Sequence, residues 1–183
     1  MGPESPTIIQ PELDRIRQRL ALSEGGASPA AIAAAVAAAL AATLPFANFF
    51  ALMPPDNGAT VAPGAPVLFP QDGPTSGAAV RATAGTFTIP VAGTYLVSTQ
   101  VSFSPAGQLA LAINGVKVAA TQIGRATSTT QGVISTLITV NAGDILSVIN
   151  PGSHGTALII TPNAGGDVSE GSVSATLTIR RLG

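Results

Sequence analysis

The chain has 183 residues, of which 9% are charged, with eight basic and nine acidic side chains, one histidine and no cysteine or tryptophan, where ordinary soluble domains are about a quarter charged. There is no net field to hold a polyanion, which excludes nucleic-acid binding by phosphate neutralisation, and the missing cysteines remove disulfides, zinc thiolates and thiol nucleophiles together. Seven of the charges precede residue 25, so the remainder must hide surface by oligomerisation, a carbohydrate coat or membrane contact.

Residues 1–10 are Pro-rich and unpatterned and read as disordered or expression-derived. Residues 11–45 read as a helical segment. Pro11 suits a first helical turn, Glu12 and Asp14 sit beside its positive end, and Leu13, Ile16 and Leu20 are spaced three and four apart. This first helix, ended by Glu24-Gly25-Gly26, is too short to stand alone and long enough to associate weakly in a small bundle. Ser28-Pro29 starts a second helix, a hydroxyl cap followed by proline at the first helical position. An alanine-rich run carrying Ile32, Val36 and Leu40 as one ridge continues until Pro45 stops it. The uncharged stretch 30–53 is long enough to span a bilayer. Pro45, Asn48, the weak hydrophobicity of alanine and the absence of flanking bases favour a helix packed through its small residues instead, possible as a trimeric stalk.

Residues 46–183 read as one antiparallel sandwich. The stretches 53–58 and 71–74 have turn chemistry. Short strands are expected at 67–69 and 86–89. The longest, 94–103, places Tyr95, Val97, Val101 and Phe103 on one face and Ser98, Gln100 and Ser102 on the other. Asn114-Gly115 between 108–113 and 116–120 is a hairpin signal, because a type I′ turn needs positive φ at both central positions. Residues 132–140 and 144–150 read as another pair joined by Asn141-Ala142-Gly143, followed by strands at 156–161 and 172–180. In the last, Val173, Ala175, Leu177 and Ile179 alternate.

Two strands are apolar on both faces: Val133 and Leu137 oppose Ile134, Ile138 and Val140, while Leu158 and Ile160 oppose Ala157 and Ile159. A sandwich buries one face of a strand, so the second implies another subunit or a covering segment. Tyr95, Val97, Phe103, Val133, Leu137, Ile138, Leu158 and Ile160 are the candidates for the combined core and subunit interface. The many short strands with Gly/Pro turns point to a mainly β jelly roll preceded by one or two short helices.

Phe87-Thr88-Ile89-Pro90-Val91-Ala92-Gly93-Thr94-Tyr95 fits the F-x5-G-x-Y pattern of the complement globular-head and tumour-necrosis-factor-like superfamily. The hairpin at Asn114-Gly115, the long strand ending at Val140, the Asn141–Asp144 turn and the apolar last strand follow in the order of that superfamily. With the low charge, the Thr/Ser/Ala/Val richness and the opening Phe50-Ala51-Leu52-Met53-Pro54-Pro55, residues 46–183 resemble the C-terminal domains of bacterial collagen-like surface glycoproteins of the BclA type. The resemblance implies a jelly roll of about ten strands, a tight homotrimer and a knob on a spore or cell surface. The chain departs from the family in having no Gly-X-Y collagen repeat.

The chemistry is sparse. His154 has no positioned nucleophile near it in sequence, and no G-x-S-x-G elbow occurs. Gly165-Gly166-Asp167 with Glu170 is the only local acidic group and reads as a turn rather than a calcium site. Arg81, Lys117, Arg125, Arg180 and Arg181 are too dispersed for a polyanion patch. No Asn-x-Ser/Thr sequon occurs. The expectation is a non-enzymatic protein without metal or cofactor, whose first partner is itself. The alternative is a receptor- or glycan-binding tip of a phage fibre or adhesin, and a membrane-anchored protein is a third possibility.

Overall fold

The computed structural model describes residues 13–16, 28–43, 45–152, 156–161 and 172–183. Residues 1–10, Leu20, the Glu24-Gly25-Gly26 stop, His154 and the group at 165–170 lie outside the described residues. The chain divides into two compact units, 1–43 and 44–183.

In the first unit, residues 13–16 are helical and α1 spans Pro29–Thr43. Ser28 caps α1 as its sequence implies: its Oγ accepts the Ala31 N–H at 3.2 Å and its carbonyl accepts the Ile32 N–H at 3.0 Å. No described helix is long and apolar enough to cross a membrane.

The second unit contains, among the described residues, β1 (Phe46–Met53), β2 (Gln71–Thr75), β3 (Val80–Thr83), β4 (Thr86–Thr88), β5 (Gly93–Ser104), β6 (Gly107–Ile113), β7 (Val116–Lys117), β8 (Ile123–Arg125), β9 (Thr130–Val140), β10 (Ile145–Ile149), β11 (Ile159–Ile160) and β12 (Ser172–Arg181). Every pairing is antiparallel. One sheet runs β9, β5, β12, β1, β2, with β11 against the last residues of β5. The other runs β3, β4, β10, β6, with β7 and β8 on β6. This is the expected jelly-roll architecture, with more and shorter strands.

Between the sheets lie Ala47, Phe49, Tyr95, Val97, Val101, Phe103, Ile134, Ile138, Leu177 and Ile179 from the first, and Phe87, Leu109, Leu111, Leu146 and Val148 from the second. Phe87 stacks on Phe49 with ring centroids 4.3 Å apart and meets Phe69 edge-on at 6.1 Å. Arg81 closes this cluster. Its guanidinium lies 5.0 Å from the Phe49 centroid, donates to the Phe69 carbonyl and pairs with Asp72, so β3 is tied to β2 across the rim of the sandwich.

The F-x5-G-x-Y pattern has a physical basis here. Phe87 anchors the aromatic cluster. Tyr95 is buried and its hydroxyl donates to the Val91 carbonyl at 2.7 Å; burial pushes that hydroxyl above its ordinary value of 10.0, with Arg181 partly offsetting the rise. Gly93 lets the chain end approach, since a Cβ there would come within 2.1 Å of the Gly183 carbonyl oxygen. That oxygen accepts the Thr94 N–H at 2.9 Å.

Several expectations are corrected. The stretch 71–74 is not a turn but most of edge strand β2, where Pro74 is tolerated because only one side of the strand must donate. The stretch 67–69 is extended without being a strand: Pro66 and Pro70 remove the flanking donors, and Val67 and Phe69 make single bonds to Val148 and Ala84. Strand β1, at the end of an apolar run continuous with the alanine helix, has no alternation to betray it, yet it is paired on both sides by β12 and β2. The stretch 116–120 stops as a strand at Lys117, because the Leu111 N–H is taken by the Thr121 hydroxyl at 2.8 Å and the chain turns into a 3-10 helix, Ala119–Thr121. Asn114 and Gly115 do both have positive φ, 52° and 77°.

The strands on either side of Asn141-Ala142-Gly143 do not pair with one another. β9 pairs with β5 and β10 with β4 and β6, so the turn carries the chain from one sheet to the other. Asp144 ties this arch to the β6–β7 hairpin, accepting from the Asn141 N–H at 2.7 Å and the Asn114 amide at 2.8 Å. In β12 the alternation breaks at a bulge opposite Ala51/Leu52, so Ser174 and Ala175 are both buried and Val173 is exposed.

Replacing Phe87 with alanine removes the ring that joins the two sheets, and urea denaturation should show a loss of about 3–5 kcal/mol. Asp144 gives a pH signature. The Asn141 N–H first, and the Asn114 amide second, hold its carboxyl below the ordinary 3.8. Its stabilisation is therefore full above 3.8 and is lost as pH falls through the lowered native value. The gap in urea midpoint between wild type and Asp144→Ala should be constant near neutrality and shrink on acidification below 3.8; a gap that widens there would contradict the clasp.

Candidate functional site

In the first sheet β9, β5, β12 and β1 each spend one face on the core and turn the other outward, while edge strand β2 buries no residue. Register places the outward residues in rows across the sheet. Phe46, Arg180, Leu96 and Leu137 make one row; Asn48, Thr178, Ser98 and Ser135 the next; Phe50, Thr176, Gln100 and Val133 the third. Leu52 and Val173 continue beyond the third row, and Ile159 of β11 pairs with Ser104 at the same end of β5.

The rows on either side of the middle one are mixed, with Arg180 in the first and Thr176 and Gln100 in the third, and most of their open apolar side chains stand at the row ends or beyond them. Leu137 is 59% exposed, Ile159 51%, Val133 49%, Val173 45% and Phe46 41%. Leaving side chains of this size in water forgoes roughly 1.5–3 kcal/mol each relative to full burial. Exposed apolar residues elsewhere, such as Val80, Val91 and Val116, are dispersed over edges and turns, which is ordinary. Five on one sheet face are not dispersed.

The middle row is polar and hydrogen-bonded. The Asn48 amide donates to Thr178 Oγ1 at 3.0 Å and to the Leu177 carbonyl at 3.3 Å, and the hydroxyls of Ser98 and Ser135 are 3.0 Å apart. Gly73 of β2 makes room for Asn48, whose Oδ1 would lie 2.2 Å from a Cβ at that position. Among the described outward residues of this sheet Arg180 is the one charge.

Of the eight residues expected in the combined core and interface, Tyr95, Val97, Phe103, Ile138, Leu158 and Ile160 are buried within the subunit, while Val133 and Leu137 face outward. The structure brings Val133 and Leu137 together with Phe46, Leu96, Val173 and Ile159, which sequence reading did not assign to the face. Val173 and Ile159 lie in alternating stretches of the sequence; Phe46 opens β1, an apolar block whose sequence carries no period.

Nothing comparable gathers catalytic groups among the described residues. Among the described residues no three of His, Cys, Asp and Glu stand close enough to hold a metal. A hollow of about 380 Å³ beside β6 and β8 is lined by Ala106, Gly107, Gln108, Gly124, Arg125 and Ala126. It contains neither a carboxylate nor a hydroxyl to act as base or nucleophile.

A family model described as the BclA C-terminal domain matches residues 56–183. Among solved structures the chain is similar to the tumour necrosis factor Eiger from S. frugiperda, at 15% identity over 77% of this chain and 94% of that one, with a TM-score of 0.54. It is also similar to murine APRIL at pH 5.0, at 13% identity over 76% and 99%, with a TM-score of 0.50. The globular domain of zebrafish complement 1qA protein matches at 14% identity over 74% and 94%, with a TM-score of 0.45. No curated protein sequence matches.

Proposed function

Because the chain belongs to the BclA C-terminal domain family, we propose that residues 46–183 are the self-associating, non-enzymatic knob of a bacterial surface protein, that they form a homotrimer, and that the outward face of the β9–β5–β12–β1 sheet is where copies meet. The observation that carries the reading is the pairing of opposite environments along one strand: in β9, Ile134, Ile138 and Val140 are buried while Val133 and Leu137 are open. A residue pattern that is apolar on both sides and covered on one asks for a second cover.

A closed ring supplies that cover with one repeated contact and no leftover sticky surface. The low charge of residues 44–183 supports the same reading, since a face with one cation offers nothing to a highly charged ligand and suits a partner as uncharged as itself. Residues 11–45 serve as the helical approach to the knob, α1 and the preceding helical turn forming a short stalk in the assembled protein. The place of action is the exterior of a spore or cell, with host receptors or glycans as possible contacts of the assembled knob's remaining surface.

Light scattering on the purified protein should give three times the 18.0 kDa of the chain; a monomer overturns the reading. Leu137→Asp with Val133→Asp should yield a folded monomer, with β-rich circular dichroism retained. Ile138→Asp, one residue away and on the buried face, should instead abolish folding by burying an unpaired carboxylate. If the outward pair unfolds the subunit as Ile138→Asp does, those residues belong to the core and the face is wrongly placed. Antibody labelling of intact cells and spores tests the location, and labelling seen only after lysis would overturn it.

A further inference from the structure

We infer that the fully polar row Asn48–Thr178–Ser98–Ser135 is the register element of the assembly face, fixing how copies mate while the apolar side chains of the rows beside it hold them together; this rests on the self-association proposed above. Apolar contact is non-directional and roughly proportional to area. The apolar members of the flanking rows, Phe46, Leu96 and Leu137 beside Arg180 and Phe50 and Val133 beside Thr176 and Gln100, could therefore by themselves slide or rotate against a copy with little penalty. A polar row between them cannot, because a misaligned hydroxyl buried against a methyl group loses its water and gains no partner.

The donor count favours a role across the interface. In the Ser98–Ser135 pair one hydroxyl donates to the other, which leaves the second hydroxyl's proton and several lone pairs unspent. Thr178 accepts from Asn48 and its own proton finds no acceptor among the described residues. These groups are half-buried or exposed in the single subunit, so water satisfies them there. Burial of the face removes that water, and the hydroxyls must then find partners on the adjoining copy or hold bridging waters in a fixed place. Either way one mating geometry satisfies the row and others leave it unpaired. A buried polar residue in an otherwise apolar coiled-coil seam acts in the same way, setting register and number of chains at some loss of stability.

The occupant is a second copy of this chain and not a charged ligand. Arg180 is the one charge among the described residues of the face, and a partner with the same near-neutral surface is the electrostatic complement.

The test is the triple variant Ser98→Ala, Ser135→Ala, Thr178→Val, which removes the hydroxyls from outward positions and leaves the core untouched. Native mass spectrometry of the full chain should show a single stoichiometry for wild type and more than one for the variant, with its assembled state at least as resistant to dissociation on dilution. Ser98→Thr with Ser135→Thr keeps the hydroxyls and should restore a single species. A triple variant with the wild-type stoichiometry alone, beside an assembled wild type, overturns the inference. So does a triple variant that falls apart to monomers, since the row would then supply affinity rather than register. A monomeric wild type instead overturns the self-association on which the inference rests.

Discussion

A β-strand has two faces, and a two-layer sandwich can cover only one of them. Almost everything distinctive about residues 44–183 follows from how the first sheet deals with the other. In β5 the outward positions Ser98 and Gln100 are polar and remain in water at little loss; in β9 the outward positions Val133 and Leu137 are not, and the subunit leaves each about half open. The fold is complete without covering those residues, because the aromatic cluster of Phe49, Phe69 and Phe87 and the aliphatic layer around Val97, Leu111 and Leu177 already join the sheets. The open apolar side chains are therefore surplus to folding, and on the proposed reading this surplus hydrophobic surface is where copies meet.

The inner layer is held from its rims as well as its centre. Arg81 covers the aromatic cluster at one end, its charge answered by Asp72 and its donors by the Phe69 carbonyl. At another the last residues of the chain lie against Gly93 and Thr94, with the Leu182 N–H donating to the Thr94 carbonyl at 2.8 Å. Buried asparagines do similar work where the chain leaves regular pairing: Asn150 donates to the Val61 and Thr156 carbonyls, and Asn57 takes both polar groups of Leu68. Loops that would leave orphan backbone groups inside are thus satisfied one at a time by side chains. A frame satisfied in this way holds the outer face with its rows in fixed register.

The sequence made the long alternating strands legible, because in β5, β9 and the later part of β12 period-two burial is written directly in the residue types. The Asn114-Gly115 hairpin and the Ser28-Pro29 helix start were legible for the same reason, each depending on a local backbone requirement that few residues meet. What escaped was non-local. β1 reads Phe-Ala-Asn-Phe-Phe-Ala-Leu-Met, an apolar block with no period, and only its pairing with β12 and β2 makes it a strand. β2 contains Gly73 and Pro74 and is a strand because it is an edge. The 141–143 turn looked like a hairpin because turn chemistry does not say whether the strands it joins share a sheet. The candidate face was half legible: Val133 and Leu137 followed from alternation, whereas Phe46 and the alignment of Asn48, Thr178, Ser98 and Ser135 in one row require the register of four strands.

The deficit of charge takes on a specific meaning from this geometry. On the proposed reading, a face that mates with copies of itself meets its own charges multiplied, so every like-signed group is repeated around the ring and none is neutralised by a partner of opposite composition. Reducing the face to Arg180 keeps that repulsion small, and it removes the usual protection of the unassembled subunit against indiscriminate sticking. The polar row supplies a different protection. On the inferred role, it separates the apolar side chains Phe46, Leu96 and Leu137 from Phe50 and Val133, and a partner lacking groups to meet the hydroxyls between them cannot bury both sets in full. A surface can in this way be poor in charge, rich in exposed valine and leucine, and still discriminate, with hydrogen-bond satisfaction taking the role that charge plays on more ordinary interfaces.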